Sequence, residues 1–163
     1  MNRLLSKLLI LTILLPAVTT TAASSDTIKG EHDVKPLRPC PSSPNCVSSQ
    51  ATDPQQLMEP IPFAGAQEAA QARLRAIVQA MPRAEIILDR QGYLAVSFRS
   101  RIFSFVDEAE FSFDADRSLI HFRSGARTGF YDFGVNRSRM EWIAAAFKDQ
   151  ELVRTKSEPS CPP

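Results

Sequence analysis

Phe103-Ser-Phe-Val-Asp-Glu-Ala-Glu-Phe-Ser-Phe-Asp114 decides the fold. The stretch has a period of two. Phe103, Phe105, Asp107, Ala109, Phe111 and Phe113 share one face, and Ser104, Val106, Glu108, Glu110 and Ser112 share the other. Such a strand buries one side and needs neighbours of the same kind. Upstream, Tyr93 to Arg99 alternates with Leu94, Val96 and Phe98 on one face. Ala84 to Leu88 precedes it across a turn over Asp89 to Gly92, where Gly92 supplies the awkward dihedral. Downstream, beyond a polar turn, Leu119 to Ser124 places Ile120, Phe122 and Ser124 on one face, with His121 and Arg123 opposite.

Helical periodicity flanks the strands. Between Gly65 and Met81, Ala66, Ala70, Leu74, Ile77 and Met81 form one stripe, which Pro82 ends. After a loop from Gly125 to Asn136, a last helix buries Met140, Ile143, Ala144 and Phe147 and runs to about Phe147. It starts at Asn136 as N-cap or at the Ser138-x-x-Glu141 capping box. The expected architecture is α+β: a single domain with a four-stranded antiparallel sheet, one helix before it and one after. An irregular Pro/Cys-rich arm, Cys40 to Pro62, precedes it. Phe98, Phe103, Phe105, Phe111 and Phe113 are expected in the core, since strand spacing without basic interleaving does not make a stacking platform.

The 163 residues carry 19 basic and 18 acidic side chains, and 44% are apolar. This balance excludes a disordered chain and argues against a nucleic-acid binder, which needs a basic excess. Arg3 and Lys7, the short apolar run Leu8 to Val18 and the small residues after it read as a secretory signal peptide, 1–23, cleaved after Ala23. An uncleaved anchor is the alternative, but the run falls short of the ~20 apolar residues a span needs. The expected product is periplasmic or secreted, with no membrane span after cleavage. Residues 24–39 read as a linker, 40–148 as the domain and 149–163 as a flexible polar tail.

Cys40, Cys46 and Cys161 therefore face an oxidising compartment. A Cys40–Cys46 bridge would fix the loop Cys-Pro-Ser-Ser-Pro-Asn-Cys; a bridge to Cys161 and free thiols are the alternatives. Neither His32 nor His121 has ligand-like spacing to these thiols, so no metal site is expected.

Two features are out of place. Asp107 sits on a phenylalanine-rich face, where a carboxylate must be paired, enclosed in a polar pocket or turned outward by a bulge. Arg123, Arg127, Arg137 and Arg139 gather near one glycine-rich loop, and Arg137 and Arg139 oppose the dipole of the last helix. Asp107, Glu108, Glu110, Asp132 or an external anion could compensate them, as a charge network or as a ligand site. Nucleophilic catalysis finds no motif. Ser124 and His121 lie on opposite strand faces, as do Asp107 and Glu110.

Cys40-Pro-Ser-Ser-Pro-Asn-Cys-Val-Ser-Ser49, Phe103-Ser-Phe-Val-Asp-Glu-Ala-Glu-Phe111, Arg123-Ser-Gly-Ala-Arg-Thr-Gly129 and Asp132-Phe-Gly-Val-Asn-Arg-Ser-Arg139 occur in that order. Together they resemble a family of bacterial and plastid proteins, domain of unknown function 1499, over about residues 38 to 148. That family has no established reaction. Its marked positions fall on Asp107, Glu110, Arg123, Arg127, Asp132, Asn136, Arg137 and the Cys-Pro loop. These residues are the candidate site. The expectation is a binding or accessory module without cofactor, holding a small polar or anionic ligand or a partner's carboxylate. An envelope interaction module using the Cys40–Cys46 loop and a hydrolase with Asp107 or Glu110 as base are the alternatives.

Overall fold

The computed structural model describes residues 36–100 and 105–157, with side chains through residue 150. The signal peptide, nearly all of the linker and Cys161 lie outside the described residues. Eight elements follow in order: β1 (Cys46–Ser48), β2 (Ile61–Pro62), α1 (Gln67–Ala80), β3 (Ala84–Arg90), β4 (Tyr93–Arg99), β5 (Val106–Asp114), β6 (Leu119–Ala126) and α2 (Val135–Ser157). The class is α+β with an antiparallel sheet and two helices, ordered β1-β6-β5-β4-β3. None of the described helices is long and apolar enough to cross a membrane.

The sheet has six strands rather than the four expected, because the arm supplies two. β1 pairs with one end of β6, Cys46 opposite Gly125, and β2 with the other end, Ile61 opposite Ile120. Neither shows a run long enough to announce a strand. β2 is two residues ending in Pro62, a residue the edge of a sheet tolerates because it asks for no inward N–H there. Cys40 and Cys46 are joined by a disulfide, with their Cα atoms 5.7 Å apart.

The alternation in β4, β5 and β6 sorts the core as expected. Leu94, Phe111 and Phe122 stand in register across three strands and are fully buried. Ala70, Leu74, Ile77 and Val78 of α1 cover them, with Met140, Ile143 and Phe147 of α2. Each large side chain so buried contributes about 1.5–3 kcal/mol. Phe105 departs from its expected place in the core and is 54% exposed. It lies one residue before β5, where its N–H donates to Ser100 Oγ at 3.0 Å. The side chain stands on the wall of a groove instead.

The second face of the sheet is polar but not open. It carries Tyr93, Glu108, Glu110, Ser112, His121 and Arg123, and the arm crosses it with Leu37 buried. Two glutamines outside the apolar stripe of α1, Gln67 and Gln71, are also buried. Gln71 clamps the β3–β4 turn by donating to Asp89 Oδ1 at 2.8 Å and accepting from Gly92 N–H at 2.9 Å. Gly92 has φ of 73°, a backbone conformation that glycine adopts without steric cost.

α2 begins at Val135, one residue before the earliest expected start, and continues to Ser157, past the end of its apolar stripe. Lys148, Gln150, Glu151 and Leu152 are good helix formers, so propensity carries the helix beyond its packing.

Candidate functional site

The motif residues divide between the two faces of the sheet. On the helix side, Asp132 rather than Asn136 caps α2. Its Oδ1 accepts the Gly134 N–H at 3.0 Å and its Oδ2 accepts the Asn136 N–H at 2.9 Å. This carboxylate answers the dipole problem posed by Arg137 and Arg139. Asn136 is thereby free to turn inward and is fully buried. Its Oδ1 accepts from Ser124 Oγ at 2.6 Å and from Arg139 Nη1 at 2.8 Å, while its Nδ2 donates to Asp132 Oδ2 at 2.8 Å. The same Nδ2 reaches the carbonyl of Asn45, and the Asn45 amide donates to the Gly129 carbonyl. The Cys-Pro loop, the glycine-rich loop and α2 are thus joined through one buried amide.

Asp107 is buried and ion-paired with Arg139, whose Nη2 lies 2.7 Å from Asp107 Oδ2. The guanidinium also stacks over Phe98, 4.5 Å from the ring centroid. Of the three readings open for Asp107, the ion pair is present. No such bond is made by its Oδ1 among the described residues.

Asp107 lines a groove of about 350 Å³ between the start of β5, the end of β6 and the entry to α2. Its walls are Phe105, Tyr131, Phe133 and Val135, with Asp107 and Asp132 among the lining residues. Phe133 is 87% exposed, and its ring meets Tyr131 edge-to-face with centroids 5.1 Å apart. Phe130, next in the loop, is also exposed. Water-facing aromatic side chains gathered on one patch mark interaction surfaces. Larger cavities of about 510 and 600 Å³ lie elsewhere. The first is a trough between β2 and α2 with few polar groups. The second is lined by Arg75 and Asp89, which are already hydrogen-bonded to each other.

On the other face, Glu108 accepts from Arg127 and from Arg38, the latter at 3.0 Å, and Glu110 accepts from Arg38 at 3.0 Å. Hydrogen bonds from Arg127 first, then Arg38, hold Glu108 below the usual carboxylate range. Arg123 faces Glu110 across the strands and is buried, yet forms no ion pair among the described residues. Burial, then the charge of Arg38, lowers its pKa. Arg123 Nε, Glu110 Oε2 and Ser112 Oγ are buried with no partner among the described residues. Each such atom costs about 1–3 kcal/mol. Gly125 makes room here, since a Cβ on it would lie 3.1 Å from Cys46 Sγ and 3.3 Å from Arg123 Nη2.

The structure therefore brings Asp107, Asp132 and Asn136 together with Arg139 on one side, and Glu110, Arg123 and Arg127 together with Arg38 and Glu108 on the other. Arg137 joins neither group; its Nη2 donates to the Gln55 carbonyl at 2.6 Å and ties α2 to the arm. The aromatic walls were missed by the sequence reading. The available signal was Phe130-Tyr131-Asp132-Phe133, three aromatics in a loop where polar residues are the rule. Ser49 Oγ lies 3.2 Å from His121 Nδ1, but it also accepts the Phe122 N–H at 2.9 Å, and no described carboxylate orients the imidazole. No group of three metal-ligating side chains occurs among the described residues.

No curated protein and no solved structure matches the chain. A family model described as protein of unknown function (DUF1499) matches residues 36–147, which hold both charged clusters and the groove. The chain belongs to the DUF1499 family.

Proposed function

We propose that this chain is an exported, non-catalytic binding module, and that its ligand seats in the groove between Phe105, Tyr131, Phe133 and Val135. One observation carries the reading: Asp107, with one carboxylate oxygen unpaired among the described residues, lines an apolar cavity walled by exposed aromatics. Such a cavity with a few placed polar groups has the make-up of a small-molecule site. Of the expected ligands, the polar one suits it. An anion or a partner's carboxylate would meet Asp107 and Asp132 on the lining and no described arginine there. Of the four arginines that suggested an anion, Arg127 holds Glu108 and Arg139 holds Asp107 instead.

Export rests on the signal-like leader and gains support from the Cys40–Cys46 disulfide, which persists in oxidising compartments. The test is a double variant, Tyr131→Ser with Phe133→Ser, in the full mature chain. Both rings are exposed, so the thermal midpoint should move by less than about 2 °C while ligand capture is lost. Native mass spectrometry of protein taken from the producing cell's envelope reads capture directly. An adduct kept by the double variant sinks the groove as the site.

A further inference from the structure

We infer that the groove selects an organic cation, a small amine or quaternary ammonium with an apolar body; this rests on the groove being the ligand site. The described lining carries Asp107 and Asp132 and no basic side chain. Asp107 is bound through Oδ2 to Arg139, whose guanidinium also donates to Asn136 Oδ1. Two carboxylates set against one guanidinium and the partial positive charge at the N-terminus of α2 leave the described lining net negative. A cation offsets that charge, while a neutral ligand leaves it in place.

The walls fit the same chemistry. The ring of Tyr131 stands edge-to-face with Phe133, and Phe105 lines the wall. Aromatic faces attract alkylammonium groups through the ring quadrupole, most strongly where water is excluded. The fold already uses that interaction, with Arg139 over Phe98 and Arg73 over Phe147 at 4.5 and 4.7 Å. Asp132 is fully committed to the N-terminus of α2 and acts by charge alone. Asp107 Oδ1 accepts no hydrogen bond among the described residues and can take one or face an ammonium group. Its burial beside Arg139 sets the contact at the floor, with the apolar body against the rings.

The test compares choline with 3,3-dimethyl-1-butanol, its neutral isostere, by calorimetric titration into the full mature chain. The expected result is that choline binds at least tenfold tighter. Asp107→Asn and Tyr131→Leu should each reduce that preference. Tyr131→Leu alters an exposed ring, so it keeps the test sound if Asp107→Asn fails to fold. Equal affinity for the two probes overturns the charge selection and leaves the groove reading standing. Binding of neither probe overturns both. A choline preference untouched by both variants places the cation elsewhere and also overturns the inference.

Discussion

Arg139 Nη2 lies 2.7 Å from Asp107 Oδ2, joining the second turn of α2 to the first residues of β5 across the core side of the sheet. Both side chains are nearly buried, and the guanidinium is further fixed by Asn136 and the Phe98 ring. The pair holds the floor of the groove in place, and it leaves one Asp107 oxygen uncommitted.

Breaking this pair should be costly. Arg139→Met leaves Asp107 buried without its cation, a loss of about 3–5 kcal/mol. Arg123→Met is the instructive contrast. Arg123 is equally buried but forms no ion pair among the described residues, so removing its charge should leave the midpoint unchanged or raise it. Chemical denaturation of both variants checks the difference. Equal losses would mean that Arg123 carries a stabilising contact.

Acid should loosen the surface ion pairs before it loosens the apolar core. The carboxyls of Glu108, held by Arg127 and Arg38, and of Asp89, held by Arg75, both titrate below their ordinary values of 4.5 and 3.8. A depressed folded pKa contributes stability that is present above the unfolded value and lost as pH falls through the folded one. Thermal midpoints should therefore decline below about pH 4.5, and Glu108→Gln should flatten that decline. An unchanged slope in the variant would count against the Arg127–Glu108–Arg38 chain.

At the alkaline end, Tyr93 is the sensor. Burial, followed by the charge of Glu110, pushes its hydroxyl up from 10.0 to about 12. A raised folded pKa contributes stability that is complete below pH 10.0 and is lost as pH rises through about 12. Tyrosinate absorbance should show a step near 12 that vanishes in Tyr93→Phe. A Tyr93 step at 10 would place that hydroxyl in water.

The Cys40–Cys46 bridge spans only 6 positions, so loop entropy assigns it about 2 kcal/mol. Cys40→Ser with Cys46→Ser should lower stability by that much and loosen Asn45, which bonds the Gly129 carbonyl and receives Asn136. Denaturation with amide exchange at Gly129 would read both effects. Full protection at Gly129 in the double variant would show that the loop needs no staple.

The central strands were legible because period two leaves no other arrangement for Leu94, Phe111, Phe122 and their neighbours. β1 and β2 were not, since three and two residues of an edge strand carry too little pattern, and their pairing is set by β6. The start of α2 was misplaced for a chemical reason. Asn136 has the side chain of a good N-cap, but Asp132, three residues before the helix, does the capping and releases Asn136 to the core. At the site, alternation correctly set Asp107 and Glu110 on opposite faces, and those faces became two clusters. The Phe105 wall of the groove was hidden because Phe105 obeys the strand pattern, yet sits just before β5 begins.

The most direct measurement is a choline titration of the isotopically labelled mature chain, followed by amide chemical shifts. The account predicts saturable shifts confined to the groove, at Phe105, Thr128, Gly129, Tyr131, Phe133 and Val135, with Glu110 and Arg123 on the other face unmoved. Shifts centred on Glu110 and Arg123, or none anywhere up to high millimolar choline and its neutral isostere, would contradict it.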